Sequence, residues 1–233
     1  MSAMPTSPFI SRLDHGIPPV KRPNRFQYVL AQLGQQLPFS ILGVAVALLL
    51  MGIFTFLAIL MRAEDFLPEA CSELFHVSFV SHILLATITT TAILRNHEGT
   101  LLKTILIGFL GGLSICVLSD IIFPFIGGKV LGMEMEMHIC LIEHPSLILP
   151  FALVGVFAGF FVSGAREKSI QFSHPAHVLV SSLACLSYLI AFGVQDWIHL
   201  LGGVFIVTVS SVIVPCCLSD LVLPLCCVHK PVG

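Results

Sequence analysis

Cys116-Val-Leu-Ser-Asp120-Ile-Ile-Phe-Pro124 recurs one hundred residues later as Cys216-Cys-Leu-Ser-Asp220-Leu-Val-Leu-Pro224. Five of the nine positions are identical, and most of the rest exchange one apolar residue for another. Composition alone does not produce this match, because only 10% of the chain is charged. A second, looser pairing lies upstream. His82-Ile-Leu-Leu-Ala-Thr resembles His177-Val-Leu-Val-Ser-Ser at an offset of 95, so a short insertion separates the copies.

The flanking sequence is apolar. Hydrophobic residues make up 56% of the 233, and the mean hydropathy is +1.00. A soluble domain of this size carries about a quarter charged residues to meet water; this chain has too few, so lipid must cover much of its surface. Apolar segments lie near 38–61, 75–94, 104–126, 146–165, 175–195 and 200–228. Each is long enough to cross about 30 Å of hydrocarbon at 1.5 Å per residue. Helices are the expected form, since every backbone N–H must find a partner within the segment, and the alternation of a barrel strand is missing. The fold class expected is an all-α integral membrane protein. The domains expected are an N-terminal arm over 1–37, a three-helix repeat over 38–126, an outer connection over 127–145 and a second repeat over 146–228. Three is odd, so the second copy enters the membrane the opposite way up, the inverted-repeat plan of many secondary transporters.

Lys and Arg placement sets the orientation. With the N-terminus inside, Arg12, Lys21, Arg22, Arg25, Arg95, Lys103, Arg166, Lys168 and Lys230 face the cytoplasm, against Arg62 and Lys129 outside. Acids are biased the other way, with Glu64, Asp65, Glu69, Glu73, Glu134, Glu136, Glu143 and Asp196 outside. The expected location is a bacterial inner (plasma) membrane with both termini cytoplasmic. A net charge of −2 without a basic stripe excludes nucleic acid as a partner. Gly108-xxx-Gly112 and Gly155-xxx-Gly159 read as close-packing faces.

A carboxylate within an apolar helix costs several kcal/mol unless paired, protonated or wet. Asp120 and Asp220 are therefore the first candidate ligands. Cys116 and Cys216 stand one helical turn before them on the same face, while Pro124 and Pro224 free a backbone carbonyl four residues back. Imidazole is the commonest metal ligand and a proton carrier, which adds His82 and His177, with His76 and His174 close by in sequence. The segment Met133-Glu-Met-Glu-Met-His-Ile-Cys140 supplies Glu134, Glu136 and His138, followed by Glu143 and His144. If extended, it puts Glu134, Glu136 and His138 on one face and three methionines on the other. Carboxylate and imidazole suit zinc, iron or manganese; thioether and thiol suit copper(I). Cys71 and Cys140 share the outer side, where a disulfide requires Cα atoms within about 7 Å.

Phosphate-loop, GxSxG and HExxH motifs are missing, and no catalytic residue is assigned. The expectation is a metal-cation transporter or permease with intramembrane Asp and His sites. Two alternatives stand beside it. One is a membrane-embedded redox or metalloenzyme subunit, with His82 and His177 as axial haem ligands or part of a di-metal centre. The other is a structural subunit of a homo-oligomer or larger complex.

The orientation is open to test. In a background lacking the native cysteines, His97→Cys and Glu167→Cys should resist an impermeant thiol reagent applied from outside. Labelling of either would reverse the topology.

Overall fold

The computed structural model describes residues 25–97, 100–162, 167–193 and 197–217. Among them every regular element is helical. In chain order these are α1 (Arg25–Leu60), α2 (Leu67–His97), α3 (Leu101–Val117), a π-helical turn (Leu118–Ile122), α4 (Phe123–Val130), α5 (Cys140–Glu143), α6 (Pro145–Val162), α7 (Glu167–Ala191) and α8 (Leu201–Cys217). Short 3-10 turns, Glu64–Phe66 and Trp197–Leu200, lead into α2 and α8. Four stretches are long and apolar enough to cross a membrane: Gln36–Leu60, Glu64–Arg95, Leu101–Val130 and Pro145–Val162. Pro175–Ala191 and Trp197–Ile213 are apolar but shorter.

Two boundaries differ from the sequence expectation. Helix α1 starts at Arg25, so residues 25–37, assigned to the arm, are helical. Helix α2 starts at Leu67, well before residue 75, because Glu64, Asp65 and Glu69 favour the positive end of a helix dipole there. The consequence is positional. His82, expected near the outer start of its helix, is the sixteenth of 31 residues.

Helices α1 and α4 end in the same cap. Ala63 N–H reaches Ala58 O at 2.8 Å and Arg62 N–H reaches Ile59 O at 3.0 Å; Met133 and Gly132 repeat the pair onto Gly128 O and Lys129 O. The cap needs a left-handed residue. Gly132 supplies it at φ 80, and Arg62 takes φ 54 at a steric cost.

Helix α2 is the centre of the packing, against α3, α6 and α7. Both glycine motifs lie on it. A Cβ at Gly112 would meet Thr87 Cγ2 at 2.6 Å, and one at Gly159 would meet Thr91 Cβ at 2.6 Å. Gly108 and Gly155 press on Thr91 and Thr87 in the same way. The threonines spend their hydroxyls on their own helix where they can: Thr87 Oγ1 donates to Ile83 O at 2.8 Å. Helix α7 has a different neighbour, α1, whose Gly43 lies against Val178. The outward face of α1 carries Phe39, Leu42, Leu49, Phe56 and Leu60, each more than half exposed. An apolar face of this size is stable only in lipid or against another protein.

Enlarging a clamp glycine should therefore weaken the fold. Gly112→Ala or Gly155→Ala should cost about 1–3 kcal/mol by overpacking. Gly52→Ala in α1, where a Cβ meets nothing within 4 Å, should be neutral or stabilising. Thermal unfolding in detergent reads the contrast.

Candidate functional site

Pro124 cannot donate a backbone hydrogen bond and crowds the carbonyl of residue 120. The chain responds by widening one turn. Over Leu118–Ile122 the helix is π, and Phe123 N–H bonds Leu118 O, five residues back. Such turns are frequent at functional sites. This one holds Ser119, Asp120 and Ile121 in full burial.

Asp120 is completely enclosed and accepts three hydrogen bonds. His82 Nδ1 lies 2.5 Å from Oδ2. Ser119 Oγ donates to Oδ1 at 2.6 Å, and Ser181 Oγ donates to the same oxygen at 2.8 Å. An imidazole and two hydroxyls thus converge on the one carboxyl group. The far side of the His82 ring continues the chain, with Nε2 at 2.7 Å from His177 Nε2 and the rings nearly perpendicular. A proton on His82 Nδ1 leaves its Nε2 as acceptor, so His177 Nε2–H donates. The result is one polar string, Asp120–His82–His177, joining the π turn, α2 and α7. His82 was expected beside Asp120, and it is. His177 was expected beside Asp220, which lies outside the described residues. Ser181 was not foreseen. The repeat could not have shown it, because the matching position is Ala86. Cys116 is buried one turn before the string, and its carbonyl accepts Ser119 Oγ at 3.2 Å. The side chains of Cys216 and His174 lie outside the described set.

A second group forms between α2 and the connection from α4 to α6. His76, His138 and His144 each present a ring nitrogen, and the three atoms all lie within 4.8 Å of one another. The group could hold a metal ion. His138 is the best positioned. Its ring stacks on Phe192, with centroids 4.5 Å apart, and its backbone N–H donates to Tyr188 Oη at 3.2 Å. Burial lowers its pKa, opposed by the neighbouring Glu143 carboxylate, and the neutral ring so favoured is the form that ligates metals. Glu134 and Glu136 stay out of this group. Both are exposed, while Met133 and Met135 alternate with them and are buried in packing. The extended alternation holds that far and then breaks, since Met137 is exposed and His138 turns inward. Cys71 and Cys140 are both buried, reduced thiols, not a disulfide. Burial pushes the Cys140 thiol up to about 11, so it stays protonated.

No known protein family, curated protein or solved structure matches this chain.

The buried string can be tested on stability. His82→Ala strips the carboxylate of its imidazole partner and should cost about 3–5 kcal/mol, the usual loss for a stranded buried charge. Ser181→Ala removes one bond to a charged group and should cost about 1.5–3 kcal/mol. Ser182→Ala should cost less than either, because its hydroxyl only back-bonds to Val178 O. The order of unfolding midpoints checks the assignment.

Proposed function

We propose that the chain is a six-span permease for a transition-metal cation, built from two inverted halves, with Asp120, His82 and His177 as its intramembrane site. The observation that carries this reading is the Asp120–His82–His177 string, in which Asp120 and His82 are fully buried, His177 is half-buried and His82 stands halfway along α2. A carboxylate and two imidazoles at that depth are too costly to be packing filler of the ordinary kind.

The packing supports the two-halves plan. Helix α2 lies against α3 and α6, and α7 lies against α8 and α1. Exchanging α1 with α6, α2 with α7 and α3 with α8 reproduces these neighbours. The order of exposed, half-buried and buried positions along 101–110 also recurs, residue for residue, along 201–210. The axis of such an exchange passes between α2 and α7, where His82 meets His177.

The distance between these rings suggests how a cation is handled. Two imidazole nitrogens on one metal, at about 2.0–2.1 Å each, stand about 3 Å or more apart. At 2.7 Å the two nitrogens instead share a proton. A metal reaching Asp120 and the two rings must displace that proton, so cation and proton compete for the same lone pairs. Exchange of one for the other follows. The axial-haem reading draws less support, because axial nitrogens lie about 4 Å apart across the iron by the same bond lengths. The Lys and Arg bias supports cytoplasmic termini in this reading.

Flux through proteoliposomes tests the proposal. Full-length protein should carry Zn²⁺, Mn²⁺ or Fe²⁺ with an opposed lumenal pH change. Asp120→Asn keeps the shape but presents an amide where the carboxylate stood, so flux should fall at least tenfold. Unaltered flux in Asp120→Asn and His82→Gln would remove this string from the pathway, and a wild-type protein that moves none of the metals would end the permease reading.

A further inference from the structure

The outer histidine group has a geometry of its own, independent of the permease reading. His76 Nδ1 is 2.7 Å from Ser72 O, one turn back in α2. A carbonyl only accepts, so Nδ1 carries the proton and Nε2 carries a lone pair. His138 Nδ1 is 2.9 Å from Glu143 Oε2, which fixes the same tautomer. Both Nε2 lone pairs then face each other at 3.3 Å. Two acceptors held this close repel unless a metal cation or a proton lies between them. Carbonyl or carboxylate on one imidazole nitrogen and metal on the other is the usual outer-shell arrangement of histidine sites.

The spacing is informative. Two nitrogens at about 2.05 Å from a tetrahedral ion stand about 3.3 Å apart, whereas a right-angled site brings them to about 2.9 Å. His144 is the third member, its ring centroid 5.3 Å from that of His76. It is exposed and free to turn inward about its side-chain bonds. Soft ligands are lacking. Met133, Met135 and Cys140 are buried in the packing. Both oxygens of Glu143 already have a partner, Oε2 on His138 Nδ1 and Oε1 as acceptor of Ile139 N–H at 3.2 Å. It is a positioning residue, which leaves the fourth position of a tetrahedron to water or an exchangeable ligand.

We infer that His76, His138 and His144 form a zinc-class site on the outer side, tetrahedral with one exchangeable position, in which Glu143 orients His138. An open position marks a site that hands its ion on or meets an external ligand, in contrast to a closed structural centre.

Cobalt(II) reports the geometry directly, because tetrahedral cobalt absorbs visible light intensely and six-coordinate cobalt weakly. The full-length protein in detergent is titrated with Co²⁺ in the Asp120→Asn background, so that the buried string does not contribute. One equivalent should give the intense band, and Zn²⁺ should abolish it one for one. His144→Ala, an exposed change that leaves packing intact, and His138→Ala should each remove the band. Glu143→Gln should keep its shape and weaken affinity about 10–100-fold. Weak, six-coordinate absorption would overturn the assignment, as would a band that survives both histidine changes. Flux assays keep the two proposals apart. A tetrahedral band with no flux leaves this site standing without the permease, and flux without the band removes this site alone.

Discussion

The burial of one carboxylate constrains much of this molecule. Asp120 has no access to solvent, and an anion so placed must be met by donors from every side. The π turn aims it, Ser119 caps it locally, Ser181 reaches it from α7 and His82 reaches it from α2. These elements cannot drift apart without leaving a charge unpaired in a medium that does not forgive it. The apolar contacts around them specify shape only loosely by comparison, because they are non-directional. Polar groups thus set the register between α2 and α7, and the small-residue faces then bring the backbones close.

The connection between α4 and α6 divides its labour by chemistry. Residues 133–136 lie extended, and Glu136 N–H bonds Phe192 O at 2.8 Å. Methionines on the inner face fill the uneven gap beside Leu189 and Gly193, a task suited to a flexible thioether. That leaves the nitrogen ligands to face one another nearby. A segment rich in sulfur, carboxylate and imidazole thus sorts its ligands by burial, and only the imidazoles converge.

Sequence reasoning reached the helices, the glycine faces and the pairing of His82 with Asp120, for definite reasons. Charge is scarce, so a repeated aspartate is visible; small residues at intervals of four mark a face whatever they touch. It placed His82 too far out because the start of α2 was read from hydropathy, which does not register Glu64, Asp65 and Glu69 as a helix start. It grouped Glu134 and Glu136 with His138 because alternation was extended past the point where the chain turns. Ser181 and the contact between His82 and His177 depend on how α7 lies across α2. No local pattern carries that information. Asp220, the partner that the repeat assigns to His177, lies outside the described residues.

The neighbours of α2 and α7 divide the helices in a way the chain order does not. Helices α2, α3 and α6 make one body, gripped through glycine and threonine; α1, α7 and α8 make the other, and the seam of α2 against α7 between them is as extensive as any contact within either. Each body has thus taken one helix from the opposite end of the sequence, so the two are interlaced like clasped hands. Helix α3 belongs to the first body, yet α4, its continuation past the π turn, leans on α7 and α8. The widened turn is the joint at which a single rod passes from one body to the other. A joint of this kind bends more readily than an unbroken helix, and it bends at the residue that carries the charge. Asp120 sits in that turn, so whatever its carboxylate holds and the seating of α4 against α7 and α8 meet at one residue.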